Sequence, residues 1–139
     1  MKLFKCIFVA AGLLMGGEAM AQETAAVEQA QSAATQWLAQ SDAGQYGASW
    51  DQAAKVFQAA ITKAQWEKAV QTVRAPLGAV KSRKLKSAQY TKSLPGAPDG
   101  EYVIVQFDTQ FENKASAVEK ITPMKDKDGV WRVSGYYIQ

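Results

Sequence analysis

The sequence predicts an α+β protein in which three N-terminal helices pack on a curled, four-stranded antiparallel sheet. Two observations carry this. Up to Gly78 apolar residues recur every three or four positions, and beyond it they alternate. The alternating segments also follow one another with short turns between the last three, which gives a meander instead of crossover connections.

The clearest segment is 101–111, E-Y-V-I-V-Q-F-D-T-Q-F. Val103, Val105, Phe107, Thr109 and Phe111 fall on one face, and Tyr102, Ile104, Gln106, Asp108 and Gln110 on the other. β-Branched and aromatic residues at period two, after a Pro/Gly turn, read as a strand half-buried on one side. At about 3.4 Å per residue it spans roughly 35 Å, enough for the central strand of a curled sheet.

In chain order, Met1-Lys-Leu-Phe-Lys5 is a short basic region, followed by an apolar run over 6–15. That run is too short for a bilayer, which takes about 20 residues. Ala19 and Ala21 supply an A-x-A cleavage site, so 1–21 reads as a secretory signal and 22–139 as one exported domain, periplasmic or secreted. Cys6 opens the apolar run instead of following it and is not a lipoprotein cysteine. Cleavage removes this single cysteine, leaving no disulfide or thiol chemistry and no membrane anchor.

Residues 23–43 form the first helix, with Val27, Ala30, Ala34, Trp37, Leu38 and Ser41 on one stripe and Asp42-Ala-Gly44 ending it. Tyr46, Trp50, Ala53 and Phe57 mark the second. Thr62-Lys-Ala-Gln65 matches a capping box for the third, which carries Trp66, Val70, Val73 and Arg74 and stops at Pro76. The first strand is 80–90. With Leu85 inward, Arg83 and Ser87 share its direction while Lys84 and Lys86 face water, since the opposite register would bury both lysines. In the strand 115–124, Ile121 inward brings Ala117 and Glu119 with it. Asp126-Lys-Asp-Gly129 is a hairpin turn. The last strand, 130–138, has Trp131, Val133, Gly135 and Tyr137 on one face.

Losing Lys2, Lys5 and Glu18 lowers the formal net charge of +3 by one unit, too little to imply nucleic acid as a partner. The basic stretch Lys81-Ser-Arg-Lys-Leu-Lys86 reads as a solvated strand face in preference to a phosphate or lipid site. The chain has no histidine, which removes the commonest general base and metal ligand. No GxSxG, Walker or GxGxxG motif is present, and no cofactor is expected.

Chemistry therefore rests on carboxylates, tyrosines and arginines. Glu119 and Arg83 meet on the inner face, as a carboxylate base with an anion-orienting partner or as an ion pair satisfying two buried charges. Arg74 joins them from the third helix or bonds the carbonyls at that helix's end. Asp108 is solvent-exposed between Gln106 and Gln110. Tyr46, Trp50, Trp66, Tyr90, Trp131 and Tyr136 line an apolar pocket or fill the core. An outer face with Tyr102, Ile104, Arg132 and Tyr136 is a candidate homodimer or partner surface.

Several stretches, namely Trp50, Trp66, Arg74-Ala-Pro-Leu-Gly78, Arg83, Leu94-Pro-Gly-Ala-Pro-Asp-Gly-Glu-Tyr-Val103, Phe107-Asp-Thr-Gln-Phe111, Asn113-Lys114 and Gly129-Val-Trp-Arg-Val-Ser-Gly-Tyr136, resemble a bacterial family of domains of unknown function, number 4019. The resemblance runs from about Ala33 to Tyr137. It implies a small exported protein with a cone-shaped fold, like that of nuclear transport factor two and the ketosteroid isomerases, and it implies no activity or catalytic residues; the expected fold class is a cystatin- or nuclear-transport-factor-two-like cone. The expected function is a non-enzymatic module that binds a small apolar ligand or a partner protein through Arg83, Arg74, Glu119, Trp50, Tyr46 and Tyr90. The alternative is an isomerase- or cyclase-like enzyme with Glu119 as base.

Overall fold

The computed structural model describes residues 16–139. The basic and apolar parts of the expected export signal, 1–15, lie outside the described residues. Helix α1, Gly16–Asp42, buries Ala26, Ala30, Ala34, Trp37, Leu38 and Ser41, while Val27 is half-buried. Four small residues of that stripe let the helix axis approach the sheet closely, and Trp37 and Leu38 supply the apolar mass at its far end. Gly44, at φ 73°, ends it: the Gln45 amide donates to the Gln40 carbonyl at 2.9 Å. That left-handed cap is open only to a residue without a β-carbon penalty.

The second apolar stripe is not one helix but two short ones, α2 (Tyr46–Asp51) and α3 (Lys55–Ala60). Between them Ala53 and Ala54 are 1% and 0% exposed, and the Ala54 amide leaves the helical pattern to donate to the Val133 carbonyl at 2.8 Å. A backbone group inside a helix is already bonded, so docking it on a strand interrupts the helix. Helix α4 (Lys63–Arg74) starts with the expected box, Thr62 and Gln65 bonding one another's amides, and runs into a 3-10 turn, Ala75–Leu77, at Pro76.

Four strands follow, β1 (Val80–Thr91), β2 (Tyr102–Phe111), β3 (Lys114–Lys125) and β4 (Trp131–Ile138), all antiparallel in the order β1-β2-β3-β4. Val103, Val105, Phe107, Thr109 and Phe111 are all buried on the inner face, as their alternation predicts. Ala117, Glu119 and Ile121 join them from β3.

Two irregularities redirect side chains. In β1 the pairing slips between Leu85 and Ser87, and Leu85 pairs with inward Phe107 but stays 52% exposed. Past the slip, Ala88 and Tyr90 take the inner face in place of Ser87. In β4, Val133 pairs with Pro123 and Gly135 with Thr122, so Ser134 is an extra residue. Such a bulge turns the following residues over. Tyr136 therefore packs inward and Tyr137 is 59% exposed, the reverse of the strict alternation expected of them.

The inner face and helices share one core around Trp37, Trp66, Val105, Ile121 and Trp131. A smaller one lies on the opposite face, where the segment 92–100 covers Tyr102 beside Met124 and Ala54. The Tyr102 hydroxyl donates to the Pro98 carbonyl at 2.6 Å and the residue is 1% exposed. Tyr102 and Tyr136 thus do not form the exposed aromatic surface expected of the outer face.

Candidate functional site

The carboxylate of Glu119, with 0% exposure, sits mid-way along β3. Its Oε1 accepts from Arg83 Nε at 2.7 Å and from Thr109 Oγ1 at 2.6 Å, and its Oε2 accepts from the Tyr136 hydroxyl. Arg83 reaches on to Asp42, the last residue of α1, with Nη1 at 2.7 Å and Nη2 at 3.0 Å. Arg74, at the end of α4, donates to the same Asp42 at 2.7 Å and to the Tyr136 oxygen at 3.3 Å. Two guanidiniums and two carboxylates thus close on one another, tying α1, α4 and the four strands together.

A chain that buries such charges must pair them almost completely, because each uncompensated ion loses several kcal/mol of hydration, a penalty on the order of 5 kcal/mol. The pairing here is nearly complete. Arg74 Nε has no hydrogen-bond partner, but its guanidinium lies 5.2 Å from the centroid of the Phe111 ring, where the ring's negative face compensates part of the charge. Burial alone would favour neutral Asp42; the hydrogen bonds and charges of Arg83 and Arg74 outweigh it and hold the carboxyl below its ordinary 3.8. Burial likewise opposes the Arg83 charge and is outweighed by its bonds to Asp42 and Glu119, so Arg83 is held still more firmly protonated. Tyr136 is pushed far above its ordinary value by burial first and by the neighbouring Glu119 charge second.

Of the residues expected to form a site, Glu119, Arg83 and Arg74 come together; Tyr46, Trp50 and Tyr90 lie elsewhere. The Trp50 indole donates to the Ile61 carbonyl at 2.9 Å, and the Tyr90 hydroxyl donates to Glu101 at 3.0 Å. Tyr46 packs half-buried against the core. Buried Ser49 organises the aromatics: its Oγ accepts from the Trp66 indole at 2.9 Å and donates to the Tyr46 carbonyl, while its own carbonyl accepts from the Trp37 indole at 2.8 Å. Trp37 also stacks edge-on to Tyr136, 5.2 Å between centroids. Sequence reasoning passed over Asp42, read only as a helix terminator, and Thr109, read only as an inward position.

A second feature, unmarked by any motif, lies on the outer side of the sheet. Helix α3 and the segment 92–100 wall a cavity of about 570 Å³ whose floor is Tyr102, Thr122, Ser134 and Gly135. Val56, Ala59 and Pro98 are shared with an adjoining cavity of about 670 Å³ that runs past Met124 to Lys55, Lys127 and Arg132. The two form one groove, apolar along its first part and charged at its far end.

These features define a small α+β protein: one antiparallel meander, helices closed over one face by a buried ion-pair network, and a groove on the other. The chain belongs to the DUF4019 family of proteins of unknown function, whose family model matches residues 33–136. Neither the comparison with curated proteins nor that with solved structures gave a match.

Proposed function

We propose that this protein is an exported, non-catalytic binding module, with a cone-shaped fold of the nuclear-transport-factor-two kind, that takes a small apolar ligand in the outer groove. One observation carries the reading: Glu119 is fully enclosed and both its oxygens already accept hydrogen bonds. A general base must reach its substrate's proton and have a lone pair to receive it. The isomerase- or cyclase-like alternative lacks the first: the carboxylate is fully buried, so the lone pair left on Glu119 Oε2 meets no substrate. The inner face, moreover, is filled by the tryptophans that Ser49 anchors, while the groove is unfilled, of ordinary ligand-site size and mostly apolar.

Export is supported by α1 itself. Residues 17–25 are all exposed, so among the described residues cleavage after Ala21 removes no buried side chain, and no described helix is long and apolar enough to cross a membrane. A homodimer through the sheet face has less support, with Tyr102 and Tyr136 withdrawn from that face.

Native mass spectrometry of the protein purified from the periplasm tests the reading. A copurified small molecule is the expected result. Turnover of any substrate that is abolished by Glu119→Gln, in a variant that still folds, overturns it.

A further inference from the structure

The floor of the groove has a bare stretch of strand backbone at its centre. Gly135 lies mid-strand in β4, outside the left-handed region, and a β-carbon there would meet nothing within 4 Å. A glycine in a strand interior weakens it and often accompanies a bulge, as here beside Ser134; it also leaves the floor of the groove without a side chain, a position where a ligand can approach the backbone closely. Ser134 is not an open polar contact, since its hydroxyl donates to the Thr122 carbonyl at 2.7 Å. The walls are the small aliphatic surfaces of Val56, Ala59, Leu94 and Pro98, with Tyr102 almost wholly covered, so the groove offers aliphatic contact and no broad aromatic platform.

The far end supplies charge. Arg132 is bound to Asp126 at 3.1 Å and to Asp128 at 2.8 Å, and Lys125 to Glu101 at 3.7 Å. Among the described residues the ammonium groups of Lys55 and Lys127 form no salt bridge, though the Lys55 backbone amide donates to Asp126 at 3.4 Å, and Asp99 is a carboxylate on the same rim that forms none either. An occupant matching both parts has an unbranched aliphatic chain and one negative head. From this complementarity we propose that the groove binds single-chain anionic amphiphiles of the fatty-carboxylate class, the chain lying over Gly135 between α3 and the segment 92–100 and the head at Lys55 and Lys127. This rests on the reading of the protein as a ligand-binding module and names the ligand class.

The test is titration calorimetry of the purified protein with laurate below its micelle concentration, with dodecanol as the uncharged control. Saturable laurate binding is expected, weakened about tenfold or more by Gly135→Val, whose side chain projects onto the floor and removes room worth more than one methylene. Ala59→Glu, on the exposed wall of α3, is a second groove variant should Gly135→Val lose its fold. Lys55→Gln with Lys127→Gln should weaken laurate severalfold and leave dodecanol, the poorer ligand throughout, unchanged. Absence of laurate binding, binding indifferent to both groove variants, or dodecanol binding as tightly as laurate each overturns the proposal. Should laurate fail while a different copurified molecule disappears from Gly135→Val, the binding-module reading stands and only the amphiphile falls. Bare protein from the periplasm together with no laurate binding removes both.

Discussion

The two faces of the sheet put opposite chemistry to opposite use. On the inner face, buried Glu119 and Arg74 pair with half-buried Arg83 and with Asp42 at the rim, four charges that bond one another. On the outer face, the groove between α3 and the segment 92–100 is open and mostly apolar. A polar cluster is the usual place to look for function, since active sites gather perturbed titratable groups. Structural ion-pair networks perturb the same groups, and what separates the two is whether a lone pair or a proton remains available to a ligand. At Glu119 none is reachable, because the carboxylate is fully buried. The contrast predicts that substitutions inside the network act on stability and those in the groove on binding.

The largest effect belongs to Glu119→Ala. It leaves Arg83, Thr109 and Tyr136 without their common acceptor in a site with no water access, and breaking a buried pair in this way costs about 3–5 kcal/mol. Urea denaturation followed by tryptophan fluorescence measures it. A loss no larger than that of an exposed residue would mean that the network is wet and loosely held, and the comparison would collapse. Ser49→Ala should be next, about 1–3 kcal/mol, because it strips the Trp66 indole of its buried acceptor. If the two losses were equal, the ion pairs would hold the layers together no better than one neutral hydrogen bond.

How much of this could be read beforehand follows from which forces are local. The inner set of β2 was legible because alternation is fixed by the pleat, and Glu119 with Arg83 followed from register once the apolar neighbours had chosen a side. The capping box was legible because its bonds span three residues. Tyr136 was assigned to the wrong face because one extra residue, Ser134, inverts everything after it. The only trace of that bulge is Gly135 amid aromatic and β-branched neighbours, a signal that justifies doubt about parity without fixing the position. The break between α2 and α3 was invisible because its cause, the Val133 carbonyl, lies about 80 residues downstream of Ala54 in a helix-compatible stretch. Asp42 illustrates the same limit: its role depends on two arginines brought in from other elements.

Asp42 and Tyr136 give the network opposite pH edges. The folded Asp42 carboxyl titrates below 3.8, so as pH falls the unfolded chain takes up a proton first. Its stabilisation is therefore complete above the ordinary value and is lost as pH drops through the lower folded value. Asp128, held at about 2 by Arg132, contributes to the same acid limb from the surface, so the informative quantity is the difference between the wild type and Asp42→Asn. That difference should shrink as pH falls. Tyr136 behaves in the reverse sense: its folded value lies far above 10, so stability is intact below pH 10 and falls as the unfolded chain ionises above it. Tyr136→Phe should lose about 1–3 kcal/mol near neutrality and show a shallower alkaline limb. A variant whose alkaline limb matched the wild type's would move the Tyr136 hydroxyl out of the network.

The smallest expected effect sharpens the comparison most. Gly135→Val adds a β-branched side chain to a strand position with open space and ordinary backbone angles, so stability should rise, by at most about 1 kcal/mol. Thermal unfolding beside wild type measures it. A clear loss would mean that the floor of the groove is occupied or strained in the native protein, and the outer face would join the inner one as structure. A gain, in a variant that no longer takes up ligand, would show that the bare strand backbone at Gly135 serves the groove at the expense of the sheet. Stabilising substitutions at binding surfaces commonly carry that kind of functional cost, and the inner network, already closed on itself, has no position where the same exchange could be made.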